Sequence, residues 1–202
     1  MPWTLIPAKP FHLSKQRLAC VLSADERSAL SAAMLARTIR AAKTAFGSEP
    51  VLVVSPGEEV SETALGAGAD QIIVSTAKGL NAQLADAVRS VPQGEPLLVI
   101  HGDLPLVEPS DLEALMQQEA PIVIAPDQKG QGTNALLQRA PDRFFAFGEG
   151  SFEKHMHEAE RRGLAVAVTR REGLACDLDD ADDWRRISGP DGSIEGLLAK
   201  LL

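Results

Sequence analysis

One carboxylate stands at the end of a short apolar run. In LLVIHGDLPL (Leu97 to Leu106) four aliphatic residues, Leu97 to Ile100, are followed by His101-Gly102 and then Asp103. Ligands of open α/β sheets bind beyond the C-terminal ends of the strands, so Asp103 stands where chemistry is done. A hard carboxylate with no Cys or His cage beside it suits magnesium, which takes one or two carboxylates and completes its shell with substrate phosphates. An isolated Asp there can equally do no more than cap a turn. A second acidic group, Asp177-Leu178-Asp179-Asp180-Ala181-Asp182-Asp183, lies near the C-terminus. Asp177 and Asp179 share a side if the segment is extended. Asp182 and Asp183 fall in the first turn of a helix, whose dipole favours them, so part of this cluster is structural.

Cations and anion-binding backbone accompany these acids. Lys9, Lys15 and Arg17 crowd the loop KPFHLSKQRL, which follows the first strand and could wrap the phosphates of a nucleotide or simply be solvated. It lacks the glycines of a P-loop or a dinucleotide fingerprint. Gly148, Gly150 and Ser151 in GEGSF precede a helix, where free amides, a hydroxyl and the positive dipole end can hold an anion, or where Ser151 is only an N-cap. Gly79 lets a ligand approach the backbone, and Asn81 supplies a donor and an acceptor, unless it too is only a cap. His155 and His157 form an H-x-H pair on different helix faces, which reads as surface or supporting groups rather than a metal pair. Together these residues equip a chain for nucleotidyl transfer. A phosphate oxygen attacks the α-phosphorus of a nucleoside triphosphate and pyrophosphate leaves, with metal and cations neutralising the charge.

The elements that must position these groups are legible in order. Trp3–Ala8, Val51–Val54, Gln71–Val74, Leu97–Ile100, Ile122–Ala125, Ala135–Gln138 and Ala165–Thr169 read as strands. A capping box at Ser23 and Glu26 opens a long helix to Phe46, closed by Gly47, with Leu30, Ala33, Met34, Ala41 and Ala45 expected on the sheet. Shorter helices are expected over 58–65, 79–90, 110–118 and 152–162. Strand and helix alternate four times with short connections, so the fold class is α/β, a mostly parallel central sheet covered on both faces. The polar stretch Asp127 to Gly132 interrupts that alternation.

A chain of 202 residues is expected to form a single domain, 1–202. Its formal net charge of −8 argues against nucleic acid or an anionic membrane as the partner. Cys20 and Cys176 are expected to be small buried hydrophobes. The start enters a strand directly and no run reaches membrane-span length, so a cytoplasmic location is expected.

The stretches IPAKPFHLSKQRLA, GLNAQLADA, HGDLPL, GTNALL, FGEGSFEKHMHEA and DLDDADDW resemble the 2-phospho-L-lactate guanylyltransferase family, whose members make the guanylylated intermediate of coenzyme F-420. The most specific part is GTNAL followed by GxGSF-x-x-H. The resemblance implies a nucleotidyltransferase-type three-layer α/β/α sandwich and a magnesium-dependent guanylyltransferase using GTP. Its acceptor is a three-carbon phosphorylated acid: 2-phospho-L-lactate, phosphoenolpyruvate or 3-phosphoglycerate. Matched by motif, Asp103 would be the main metal ligand and Asp179 the second, with Asp177 its runner-up. Lys9, Lys15 and Arg17 would hold the triphosphate, with Asp103, Lys9 and Arg17 the catalytic groups. Gly79 and Asn81 would lie near the nucleoside, and Thr133, Gly148 and Ser151 would contact the acid. The tail departs from the D-x-D-T-P-E-D-L pattern of related enzymes at Asp180-Ala181-Asp182 and Trp184. A homodimer is the default assembly, and the product would pass to the next enzyme of the pathway.

Overall fold

The computed structural model describes residues 1–189 and 192–201. Its strands are β1 (Trp3–Pro7), β2 (Val51–Ser55), β3 (Gln71–Val74), β4 (Leu97–Ile100), β5 (Ile122–Pro126), β6 (Thr133–Gln138) and β7 (Val166–Val168). They form one sheet in the order β3-β2-β1-β4-β6-β5-β7. Every neighbouring pair is parallel except those of β6, which runs antiparallel to both β4 and β5.

The reversal follows from the polar stretch after β5. A parallel crossover needs a dozen or so residues, more than this loop has. Asp127 instead closes a hairpin. Its carboxylate accepts the Gln131 N–H at 2.8 Å, and its own N–H donates to the Gly132 carbonyl at 3.2 Å. Because β6 is antiparallel, it begins where the parallel strands end. Thr133 and Asn134 therefore arrive beside the tip of β4, where the His101 N–H donates to the Asn134 carbonyl at 2.9 Å.

The helices are α1 (Ala24–Phe46), α2 (Ser61–Gly66), α3 (Leu80–Ala87), α4 (Pro109–Met116), α5 (Ser151–Arg161), α6 (Glu172–Ala175), α7 (Ala181–Ile187) and α8 (Ile194–Leu201). Alternation along the strands sorts the core into two layers. Ile6, Val53, Leu98, Ile100 and Val123 pack with α1, α2, α4 and α6 on one face. Leu5, Leu52, Leu97, Val99 and Ile124 pack with α3 and α5 on the other. This is the expected three-layer α/β/α sandwich.

Two expectations are corrected. Leu30, Ala33 and Met34 of α1 do not face the sheet. They pack with Leu178, Trp184, Ile187, Ile194 and Leu197, while Leu35, Ile39, Ala42 and Phe46 meet the sheet. The helix is buried on two sides because α7 and α8 cover its outer flank. Cys20 is exposed, in the turn before α1; Cys176 is buried as expected. Among the described residues no helix is long and apolar enough to cross a membrane.

Candidate active site

A cleft of about 640 Å³ opens at the C-terminal ends of β1 and β4, lined among others by Lys9, Lys15, Arg17, His101, Asp103 and Asp179. The loop after β1 is shaped by two short 3₁₀ turns, Phe11–Leu13 and Gln16–Leu18. Phe11 is buried as an anchor, and the Glu59 carboxylate accepts its N–H at 2.8 Å. Between the turns Lys15 takes a left-handed conformation, φ 52°, the one described non-glycine residue with positive φ. Such a backbone costs on the order of 1 kcal/mol and persists where its surroundings demand it.

Here the demand is electrostatic. Lys15 Nζ donates to Asp103 Oδ2 and to Asp179 Oδ1, each at 2.7 Å, with only 7% of its side chain exposed. Burial alone would depress the ammonium, but the two carboxylates outweigh it and hold its pKa above the ordinary lysine range. Burial would likewise raise Asp103; the Lys15 charge overcomes this and keeps the carboxyl well below its usual value. Asp103 Oδ1 is buried with no hydrogen-bond partner, an acceptor left free at the tip of β4. Asp177 lies apart from the cleft lining. Burial, then the charges of Asp179 and Asp103, push its carboxyl up to about 6.

A second cluster adjoins this one. Thr133 and Ser151 are buried, whereas Gly148 is exposed. Gly148 (φ 122°) and Gly150 (φ 64°) hold conformations that side-chain-bearing residues avoid, which turns the chain sharply into α5. Gly150, not Ser151, is the N-cap. Two amides expected to be free are engaged: Ser151 N–H donates to Gly148 O and Phe152 N–H to Gln131 O, each at 3.0 Å. His155 is wholly buried, 3.0 Å from the Thr133 hydroxyl through Nδ1. The two clusters meet through rings. Phe147 lies 4.7 Å from His155, edge-on, and 5.3 Å from His101, whose Nε2 is buried without a partner.

Lys9, Lys15, Arg17, Gly79, Asp103 and Asp179 thus gather around one cleft. Thr133, Gly148 and Ser151 are not among its lining residues: Thr133 is linked to Phe147 through the His155 ring, and Gly148 bonds Ser151 at the start of α5. Asn81 belongs to the junction. It is not the cap of α3, a place Gly79 takes. Its amide grips the Phe147 peptide, accepting the N–H at 2.9 Å and donating to the carbonyl at 3.0 Å. Of the two readings of His155, surface or supporting group, burial excludes the surface one. Ser151, His155 and Ala159 are all buried at four-residue spacing on α5, the pattern that marks it as inward-facing. His157 is exposed.

A family model described as guanylyl transferase CofC-like matches residues 3–192. The phosphoenolpyruvate guanylyltransferase of Rubrobacter xylanophilus is 40% identical over 196 residues, covering 94% of this chain and 95% of the relative. The 2-phospho-L-lactate guanylyltransferase of Methanothermobacter thermautotrophicus is 35% identical over 186 residues, covering 91% and 82%. Among solved structures, a nucleotidyl transferase from M. thermautotrophicus superposes with a TM-score of 0.62 at 15% identity, covering 93% of this chain and 95% of that one. A 4-diphosphocytidyl-2C-methyl-D-erythritol synthase does so with a TM-score of 0.62 at 11% identity, covering 98% and 100%. These last two are similarities of fold.

Proposed function

The chain belongs to the CofC-like guanylyl transferase family, and from that membership we propose that it transfers GMP from GTP to a phosphorylated three-carbon acid, releasing pyrophosphate. Phosphoenolpyruvate is the first acceptor to test, with 2-phospho-L-lactate and 3-phosphoglycerate beside it. The observation that carries the reading is the Asp103–Lys15–Asp179 cluster at the mouth of the strand-end cleft.

The acceptor's phosphate oxygen forms a bond to the α-phosphorus of GTP. The α–β bridging bond breaks, and its electron pair leaves on pyrophosphate. No general base is required, since a phosphate monoester is already anionic near neutral pH. The exposed Lys9 and Arg17 line the cleft and would meet the charge that grows on the leaving group. Gly79, at the start of α3, would present backbone without a Cβ to the nucleotide. Thr133, Gly148 and Ser151 would orient the acid.

The donor set suits magnesium: two carboxylates, all oxygen, one atom of which lacks any partner. Asp103 and Asp179 would hold it, because Asp179 turns into the cleft and Asp177 does not. When bound, the ion would neutralise triphosphate oxygens. The guanylylated product is a phosphoanhydride, suited to the next enzyme of coenzyme F-420 assembly.

The test is pyrophosphate release from GTP and magnesium with each acid offered alone. One acid should give a strong signal that Asp103→Ala and Ser151→Ala abolish. Asp179→Asn should lose far more activity than Asp177→Asn. Folded protein that binds GTP yet turns over none of the three acids would sink the proposed acceptor class.

A further inference from the structure

The partners of His155 fix where its proton sits. The Ala146 N–H donates to Nε2 at 3.0 Å, and a ring nitrogen that accepts carries no hydrogen. Burial, reinforced by the nearby His101, keeps the imidazole neutral by pushing its pKa down to about 4. The single ring proton therefore lies on Nδ1. That nitrogen faces the Thr133 hydroxyl oxygen at 3.0 Å. Nδ1–H donates, so Thr133 Oγ1 can only accept from it. The hydroxyl's own proton stays uncommitted to His155.

We propose that His155 is a positioning residue that presents Thr133 as a hydrogen-bond donor to the phosphorylated acid, through the tautomer that the Ala146 N–H imposes. This deepens the acceptor assignment and rests on Thr133 contacting the acid. The polarity matters because a phosphate and a carboxylate offer acceptors only. A Thr133 that gave its proton to the histidine would turn lone pairs toward those anions and repel them. A hydroxyl held by Nδ1–H instead makes a charge-assisted bond. The same histidine ties the donor to the loop that enters α5, since Ala146 immediately precedes the ring residue Phe147 and the Gly148 turn.

The test has a spectroscopic and a kinetic arm. Long-range ¹H–¹⁵N correlation on the intact wild-type chain should give His155 as neutral with the proton on Nδ1. For kinetics, the apparent KM for phosphoenolpyruvate is measured at saturating GTP, and the KM for GTP serves as control. Thr133→Val should raise the acid's KM by about tenfold or more, the loss of one hydrogen bond to a charged group. His155→Leu should do the same, and the double variant should be no worse than Thr133→Val alone. His155→Asn, which keeps an N–H at the Nδ1 position, should recover most of the loss. A merely structural histidine would move both KM values and the melting temperature together. A proton found on Nε2, additive effects in the double variant, or equal damage from Leu and Asn would overturn the relay alone. An unchanged acid KM in Thr133→Val would overturn the Thr133 assignment itself, and the relay with it.

Discussion

Lys15 Nζ lies 2.7 Å from Asp103 and 2.7 Å from Asp179, so one ammonium clasps two carboxylates drawn from the middle and the far end of the chain. It does so from a left-handed backbone that only glycine adopts freely.

Replacing Lys15 separates stability from activity. Lys15→Met keeps the backbone strain and deletes the cation; Lys15→Gly deletes the cation and relaxes the strain. Asp179 is 48% exposed and can rehydrate, whereas Asp103 keeps one oxygen buried, so losing the cation should cost about 1 to 3 kcal/mol. The Gly variant should melt above the Met variant, by roughly the 1 kcal/mol of relieved strain. Both should lose on the order of 100-fold in turnover, because the two carboxylates that would hold the metal lose the cation that holds them together. Thermal melts and pyrophosphate release on the same samples decide it.

Acid stability should divide between two groups of opposite sign. His155 titrates near 6.5 when unfolded and at about 4 when folded. The unfolded chain binds the extra proton in that window, so the stability present above pH 6.5 is lost as the pH falls toward 4, by up to about 3 kcal/mol. Asp177 runs the other way. Its folded carboxyl takes up a proton near 6, before the unfolded one does, and so gains stability over part of the same range. Urea unfolding of metal-free protein at pH 7 and pH 4.5 should therefore give a smaller acid loss in His155→Gln than in wild type, and a larger one in Asp177→Asn. Parallel behaviour of the two variants would refute the assignment.

Gly173 is required for space rather than for its backbone freedom. A Cβ there would fall 2.7 Å from the Leu106 carbonyl and into the Asp111 carboxylate. Asp111 is buried, bonds Arg171 Nε at 3.0 Å and accepts the Glu108 N–H that caps α4. Gly173→Ala must displace it, which should destabilise the fold by about 3 kcal/mol. Denaturant midpoints at unchanged slope would measure that.

Asn81 should report on the acid rather than on the nucleoside its motif suggests. Its amide is committed to the Phe147 peptide, so Asn81→Ala frees the segment leading to Gly148 and Ser151. The KM for the acid should rise several-fold with the KM for GTP nearly unchanged. The opposite pattern would return Asn81 to the nucleoside side.

The strands and the first helix were legible because their signals are local. Val51 to Val54 and Leu97 to Ile100 are uniform aliphatic runs, and Ser23 with Glu26 caps itself. What escaped depends on distant partners. Nothing within Thr133 to Gln138 says that β6 runs backwards between β4 and β5; the short Asp127 hairpin decides that. Leu30 and Met34 have the right spacing to meet a sheet, yet Trp184 and Leu197 arrive from the end of the chain and claim them. Cys20 is as small and apolar as a core residue, but its turn lies outside the packing of α1. Lys15 was visible as a cation in the correct loop. Its clasp was not, because Asp179 is 164 positions away.

That separation has a temporal consequence. Asp179 lies just before α7, which packs with α8 on the outer flank of α1, so the clasp waits on a long-range closure, and such contacts form slowly. A chain still emerging from the ribosome can complete β1 to β4 while the clasp is half made. Catalytic competence would then appear after the secondary structure. In refolding, helical signal should return before the ability to release pyrophosphate.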